Sequence, residues 1–469
     1  VDDNFDFDPV YHEFYQLCAG KITRSRFVKR AAQLGLSATA IGAFTQAYRP
    51  ETARADIEAA EATKPAGSSG VATLGFYSWI LNFNPQIAPL TKEYNAKNKD
   101  AQVQITVAPT TNFSTQKFLL EARRHTSSWD VYVGMTPFVE MAQLKAAGAI
   151  EPWDPYMPRS VVADMPAPVR EEGMIGGKMY DWPMLLDISG LEWRKSFFKA
   201  AGITHPPATW EEFTDTARRI YAKKLRHGTV AGATYDWHPW RSIMPVAHSI
   251  SLDVYTKEGY VNFKSPVFVQ VYKILKGILP YAPKDFFSPG TAVEAGTIDE
   301  VAFKSSRVAM MFKYFNTAIH AAAIWGIGDL GLGRLPKPAA GGAGGSLFWD
   351  TGSGLFKYGS NKHAVANWLH FLLSDERFWT KEVVSSGQIP PFKSIYPKIK
   401  GKVPGWIYPA YEQLKFSKAI PNTVYGFSLG LNGAMLATWL PYLKGQMSAE
   451  EALSKADAQF QQQLKLQQG

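Results

Sequence analysis

Two hydrophobic periods alternate along this chain. Val71-Ala72-Thr73-Leu74-Gly75-Phe76-Tyr77 is a short apolar run that predicts a buried strand. From Pro85 the period lengthens. Ile87, Leu90 and Tyr94 fall at i, i+3 and i+7, one face of a helix. Val103, Ile105 and Val107 then alternate with polar neighbours, the period-two signature of a strand. A helix over Gln116–Arg124 and a strand over Trp129-Asp130-Val131-Tyr132-Val133 follow. Later, Val308-Ala309-Met310-Met311-Phe312 predicts a strand ending at Lys313-Tyr314-Phe315. The run Lys362–Ser374 predicts a helix with Val365, Trp368, Leu369 and Leu372 on one face, and a last helix carries Leu453, Ala456, Phe460 and Leu464. Strands alternating with helices imply an α/β fold whose mostly parallel sheet has helices on both faces. Ligands of such sheets sit at the carboxyl ends of strands. That directs attention to Tyr77-Ser78-Trp79 and to Gly134-Met135-Thr136-Pro137.

Local chemistry sets the helix starts. Thr209 precedes a helix and Glu212 lies three residues on, a capping box in which each side chain takes the other's free N–H. Thr297 with Glu300, and Ser448 with Glu451, repeat the spacing. Between the periodic segments, Gly341-Gly342-Ala343-Gly344-Gly345 is a loop. It has neither the Lys-Ser/Thr of a phosphate-binding loop nor the spacing of a dinucleotide fingerprint, so no nucleotide is assigned to it.

At 469 residues the chain exceeds one ordinary core, and two or three folding units are expected. Charged residues are 19% and hydrophobic ones 46%, a globular composition. The net charge of +9 is scattered, with no run of five Lys/Arg, so it reads as a solvated surface and no nucleic-acid partner is expected. Cys18 is the sole cysteine, which excludes an intrachain disulfide and a cysteine zinc site. Asp236, His238 and His248 lack recognised ligand spacing, and no metal or other cofactor is expected. There is no GxSxG elbow and no HExxH motif.

The N-terminal segment reads as an address. Thr23-Arg24-Ser25-Arg26-Phe27-Val28-Lys29-Arg30 is basic, and a mild apolar stretch to Phe44 follows, too short to span a bilayer. It resembles a twin-arginine export signal, with Ser25 where the second arginine stands and Arg26 displaced by one. Residues 1–47 are therefore expected to be an export signal ending near Thr45-Gln46-Ala47. Residues 48–70, rich in Ala, Glu and Thr and closing on Pro65-Ala66-Gly67-Ser68-Ser69-Gly70, read as a flexible linker.

From Val71 onward the chain carries an ordered series of segments. Ser128-Trp129-Asp130-Val131 and Gly134 are followed by Leu144-Lys145-Ala146-Ala147-Gly148-Ala149-Ile150-Glu151-Pro152-Trp153 and Gly190-Leu191-Glu192-Trp193. Then come Pro206-Pro207-Ala208-Thr209-Trp210-Glu211-Glu212-Phe213, Phe303–Met311, Ala364–Ser374, Gly387-Gln388-Ile389-Pro390 and Gly445–Leu453. In this order they resemble the extracellular solute-binding proteins of ABC importers, the large sugar-binding family that includes maltose-binding protein. The resemblance implies a two-lobed periplasmic-binding-protein fold of type II, two α/β lobes joined by hinge strands. Lobe 1 would hold residues 71–186 and 350–380, lobe 2 residues 187–349 and 381–469. Crossings are then expected near Pro183–Leu191, Phe348–Gly354 and Phe378–Val384. It also implies an exported, periplasmic monomer, without enzyme activity, that captures a carbohydrate or polyol and hands it to the membrane permease subunits.

Candidate ligand residues follow from strand ends and from that resemblance. Trp79 is either a sugar-stacking ring or a hinge-side core aromatic. Thr136 is a hydroxyl donor at the next strand end, where Asp130 instead reads as a cap on the sheet or a loop. The resemblance adds Asp187 at the first hinge, a carboxylate able to accept two sugar hydroxyls. It adds Trp237 and Trp240 from Tyr235-Asp236-Trp237-His238-Pro239-Trp240-Arg241, then Tyr314 and Phe315, Trp349 and Asp350 at the second hinge, and Tyr425. A rival reading pairs Asp187 with Asp350 as the two carboxylates of a secreted glycoside hydrolase. Another keeps the fold and replaces the sugar with an osmolyte, an amine or a phosphate ester.

Overall fold

The computed structural model describes residues 23–33, 71–77, 80–81, 84–108, 111–287 and 298–468. The chain divides into Val1–Ser69 and Gly70–Gly469. In the first unit, Arg24–Gln33 forms helix α1. The rest of the expected leader, the linker to Ser69, and Trp79 lie outside the described residues, as does the capping residue Thr297.

The second unit is built on one sheet. It opens with β1 (Ala72–Tyr77), α2 (Ile87–Lys97), β2 (Val103–Ala108), α3 (Thr111–Arg123) and β3 (Val131–Met135). The apolar face of α2, Ile87, Leu90 and Tyr94, is buried as its period predicts. β1 pairs in parallel with both β2 and β3. β2 is the edge strand, which explains why Val107 is half exposed despite its place in an alternating run. Asp130 fastens this end together. Its Oδ2 accepts the Thr73 N–H (2.7 Å) and its Oδ1 accepts those of Ser360 (2.6 Å) and Asn361 (2.9 Å), so it caps a loop, as its position suggested.

After the short helix α4 (Ala167–Glu172) runs β4, Trp182–Arg194, a strand of 13 residues. Its first half pairs with β7 (Phe348–Phe356) and its second half with β6 (Val308–Tyr314). Between them the chain forms α5 (Trp210–Ala222), β5 (Ala231–Thr234), α6 (Pro239–Ile250), α7 (Pro266–Ile278) and α8 (Ile298–Lys304), with α9 (Phe315–Trp325) following β6. β5 lies parallel to β6. Helices α10 (Lys362–Ser374), α11 (Glu376–Ser386) and α12 (Ala449–Gln468) complete the labelled elements. The path across the sheet is β2-β1-β3-β7-β4-β6-β5, with Ile150–Glu151 on β7 and Leu330–Gly333 on β4. Two parallel ends are thus joined through the antiparallel strands β4 and β7.

Two large cores lie on either side of that junction. The first holds Leu74, Phe76, Val131, Trp153, Leu185 and Trp368, the second Trp210, Phe213, Phe312, Tyr272, Trp439 and Phe460. β4 feeds both, contributing Ile188 to the first and Leu191 to the second. This is the two-lobed architecture, with β4 and β7 as its hinge strands. Phe378 and Val383, where a return to lobe 2 was expected, lie in the first core, and so do Ile389, Ile395, Ile407 and Leu414. The chain passes to the second core between Ala419 and Ile420. The cause is physical: Tyr396, Ile399 and Leu414 are apolar faces of short helices that the first core buries.

Helix starts follow their sequence signals closely. Thr209 Oγ1 accepts the Glu212 N–H (3.1 Å), while Glu212 accepts the N–H of Ala208 (2.7 Å), one residue before the cap. Ser448 accepts the Glu451 N–H (3.0 Å), but the Glu451 carboxylate turns to Lys455 (2.8 Å).

Candidate functional site

The hinge register decides which side chains share a face. Trp349 stands directly opposite Asp187, and Asp350 opposite Leu186. Side chains alternate along a strand, so Asp187 and Trp349 project from one face and Asp350 from the other.

On the face of Trp349 the rings converge. Trp349 meets Trp240 at the start of α6 (centroids 5.2 Å) and Tyr314 at the end of β6 (5.0 Å), both edge to face. Phe138, just after β3, reaches Trp240 (5.6 Å), and Phe427 meets both Phe138 (5.2 Å) and Trp240 (6.1 Å). Phe138 and Phe427 come from opposite ends of the sequence, and neither was singled out in it. Arg241 lies over Trp240 (4.5 Å) and Tyr314 (5.6 Å), which fixes its guanidinium against the aromatic wall.

A polar set borders the rings. Asp187 is buried, and its Oδ2 accepts the amide N–H of Gln388 (2.9 Å). Burial pushes the Asp187 carboxyl up to about 7, against the Gln388 hydrogen bond and the nearby Arg241 charge. Three buried atoms here lack a hydrogen-bond partner: Asp187 Oδ1, Gln388 Oε1 and Arg241 Nε. Buried polar atoms are nearly always satisfied, so two acceptors and a donor without partners beside an aromatic wall single out this place as the candidate site.

The wall has a charged foundation. Lys313 is fully buried at the end of β6 and bonds Asp236 (2.9 Å), Asp299 (2.9 Å) and Glu300 (2.6 Å). Asp236 in turn accepts from the ring Nδ1–H of His238 (2.7 Å), its backbone N–H (2.9 Å) and Arg241 Nη1 (3.2 Å). Burial opposes the Lys313 charge, but the three carboxylates outweigh it and hold its pKa well above the ordinary lysine value. This network pins the loop that presents Trp240.

The structure therefore brings together Asp187, Trp240, Tyr314 and Trp349 of the expected residues, and adds Phe138, Arg241, Gln388 and Phe427. Trp237 stacks on His238 (4.1 Å) at the border of this group. Thr136 is half-buried, and its N–H donates to Glu140 (3.1 Å). The others go elsewhere. Phe315 is buried against Trp406 (5.1 Å) and lies so close to β4 that a Cβ on Gly190 would overlap its ring. Asp350 is fully buried on the far face, accepting the N–H groups of Met184 (3.1 Å) and Leu185 (2.9 Å). Tyr425 starts the next helical turn, and it is Phe427 that reaches the rings. Two open surface hollows, about 480 and 400 Å³, share no residue with this site. Among the described residues no group of His, Cys, Asp and Glu is arranged to hold a metal ion, and no helix is long and apolar enough to cross a membrane.

A junction of two cores, lined by aromatic rings and open polar atoms, can be set beside known proteins. Residues 83–377 match the bacterial extracellular solute-binding protein family. The chain belongs to that family. Among curated relatives, binding proteins of Brucella abortus and Brucella suis are 22% identical over 235 residues, which is 48% of this chain and 54% of theirs. The chain spans about half the length of the curated relatives it matches. Solved structures extend the likeness over most of the fold. The GacH receptor of Streptomyces glaucescens is 18% identical, with 85% of this chain and 99% of that chain covered, at a TM-score of 0.68. The sugar-binding protein MalE from Xanthomonas citri is 17% identical, with 85% and 100% covered, also at 0.68. The cyclic alpha-maltosyl-1,6-maltose binding protein from Arthrobacter globiformis is 17% identical, with 84% and 98% covered, at 0.67. At such identities the likeness speaks for the fold.

Proposed function

We propose that this chain is the extracytoplasmic solute-binding component of an ABC importer. It captures a carbohydrate or polyol between its lobes, without turning it over, and delivers it to membrane permease subunits. The observation that carries the reading is the pairing of an aromatic wall, Trp240, Tyr314 and Trp349, with the open polar atoms of Asp187, Gln388 and Arg241. A sugar ring has an apolar C–H face and a rim of hydroxyls. Aromatic rings cover the first, while carboxylate and amide oxygens accept from the second. The solute favours the closed arrangement because only then do both lobes touch it. Similar folds with stated ligands support the class: GacH was solved in complex with acarbose, and another similar binding protein with maltotetraose. The position of Asp350 weighs against a two-carboxylate hydrolase, since it and Asp187 project from opposite faces of the sheet.

Export follows from the same role, with the basic Thr23–Arg30 segment as its twin-arginine-like signal, and the protein acts as a monomer. Incubation with a panel of maltodextrins, monosaccharides and polyols should raise the Tm progressively with sugar concentration, with unchanged sugar recovered afterwards. A new product would replace capture by hydrolysis. Stabilisation only by an amine, osmolyte or phosphate ester would keep the fold and remove the sugar.

A further inference from the structure

Where the hinge strands pair, three carboxyl groups are buried against one another. Glu172 ends α4, Asp181 immediately precedes β4, and Asp350 lies in β7. None is more than 4% exposed. The backbone N–H of Asp350 donates to Glu172 Oε1 (3.2 Å), and the N–H groups of Met184 and Leu185 donate to the Asp350 carboxyl. Asp181 approaches Asp350 across Gly352. A Cβ on that glycine would fall between a carboxyl oxygen of each, well inside contact distance of both, so the approach itself requires glycine. Neither Asp181 oxygen nor Glu172 Oε2 has a donor in hydrogen-bonding geometry.

Among the described residues, no cation is among the groups that act most strongly on these three carboxyls. The groups facing the cluster are each other, the N–H groups of Thr351 and Ser353, and Asp187 farther along β4, whose own charged neighbour is Arg241. Asn422 donates to the main-chain carbonyl of Glu172, not to its carboxyl. Three carboxylates cannot all ionise in one apolar enclosure, and carboxyls this close share protons as a unit.

We propose that Glu172, Asp181 and Asp350 form a proton-held latch across the two hinge strands. A proton bridging Asp181 and Asp350 ties β4 to β7. Its transfer to bulk water leaves like charges facing each other, loosens the hinge and favours the open arrangement of the lobes. Burial raises Asp350 to about 7 and Asp181 and Glu172 farther above ordinary carboxyl values, so Asp350 ionises first and accepts the Asp181 proton, and the bridge is lost only above neutral pH. The latch needs no solute, so it stands or falls separately from the identity of the ligand.

The test uses the full chain without solute, from about pH 7 to pH 10. Infrared spectroscopy reads the protonated-carboxyl stretch, thermal unfolding reads stability and small-angle X-ray scattering reads size. In the wild type the protonated band should fade, the Tm should fall by roughly 3–6 °C and the radius of gyration should grow. Asp181→Asn keeps a hydrogen-bonding bridge that does not titrate. It should lose part of the infrared band, flatten the fall in Tm and stay compact at about pH 10. If the first variant does not fold, Glu172→Gln, which removes a neighbouring acid that raises Asp181, should shift the wild-type transition to lower pH. Folded variants that follow the wild-type pH course, or a wild type whose size is constant across the range, would overturn the latch.

Discussion

At the scale of single residues, the site separates contact from support. Trp240 and Trp349 supply ring area, and their replacement by alanine should weaken sugar binding without unfolding the lobes. Each stacked ring contributes about 1–2 kcal/mol, so titration calorimetry should show affinity falling roughly 10-fold for Trp240→Ala. Asp187→Asn keeps the Gln388 contact but replaces an ionisable acceptor, and should weaken the same ligand with little loss of Tm. Lys313 has the opposite profile. It is fully buried, and Lys313→Met removes the cation that Asp236 and Asp299 share in the interior. Chemical denaturation should show a loss of about 3–5 kcal/mol, and a variant as stable as wild type would remove the network from the account. The residues Asp187, Trp240, Tyr314 and Trp349 were candidates in the sequence because the family resemblance points to them, and the structure places them side by side. Phe138, Gln388 and Phe427 were not, because their role depends on where distant segments meet. Asp350 was misplaced for a simpler reason: a strand alternates its faces, and one step in register separates a cleft residue from a buried one.

At the scale of elements, stability rests on local chemistry that the sequence announces plainly. Thr209 caps α5, whose buried face carries Trp210, Phe213, Ala217 and Ile220 into the second core. Thr209→Ala removes the oxygen that accepts the Glu212 N–H, and should cost about 1 kcal/mol in urea unfolding while leaving solute affinity unchanged. An equal loss of affinity would show that α5 communicates with the site. Periodicity identified α2, α10 and α12 by their buried faces because one side of each packs on a core. It did not locate the last crossing between lobes. The helices after Ile389 are short and amphipathic, and such a face states that it will be buried, not in which core.

At the scale of the whole molecule, the interior stores protons. Burial raises Glu140 to about 7, against hydrogen bonds from Tyr132, Thr136 and Thr115, and raises Glu382 to about 8 despite Ser386. Asp187 and Asp350 sit near about 7 for the same reason. A carboxyl whose pKa is higher in the folded than in the unfolded chain makes the folded state bind more protons. Its stabilising share is complete below the unfolded value, near about 4, and disappears as pH rises through the folded value. Asp236 runs the other way. Lys313 and Arg241 outweigh its burial and hold its pKa well below the ordinary value, so its share is present at neutral pH and lost only in acid. The two slopes together put the stability maximum on the mildly acidic side, with a decline from about pH 5 to pH 8. Glu382 lies away from the hinge carboxyl cluster and separates this general effect from any hinge motion. Glu382→Gln cannot release a proton, so guanidinium unfolding should show it losing about 2–4 kcal/mol less than wild type between those pH values. A wild type whose unfolding midpoint is flat or rising over the interval would mean that these carboxyls reach water when folded, and that the buried state described for them is not the one the protein holds in solution.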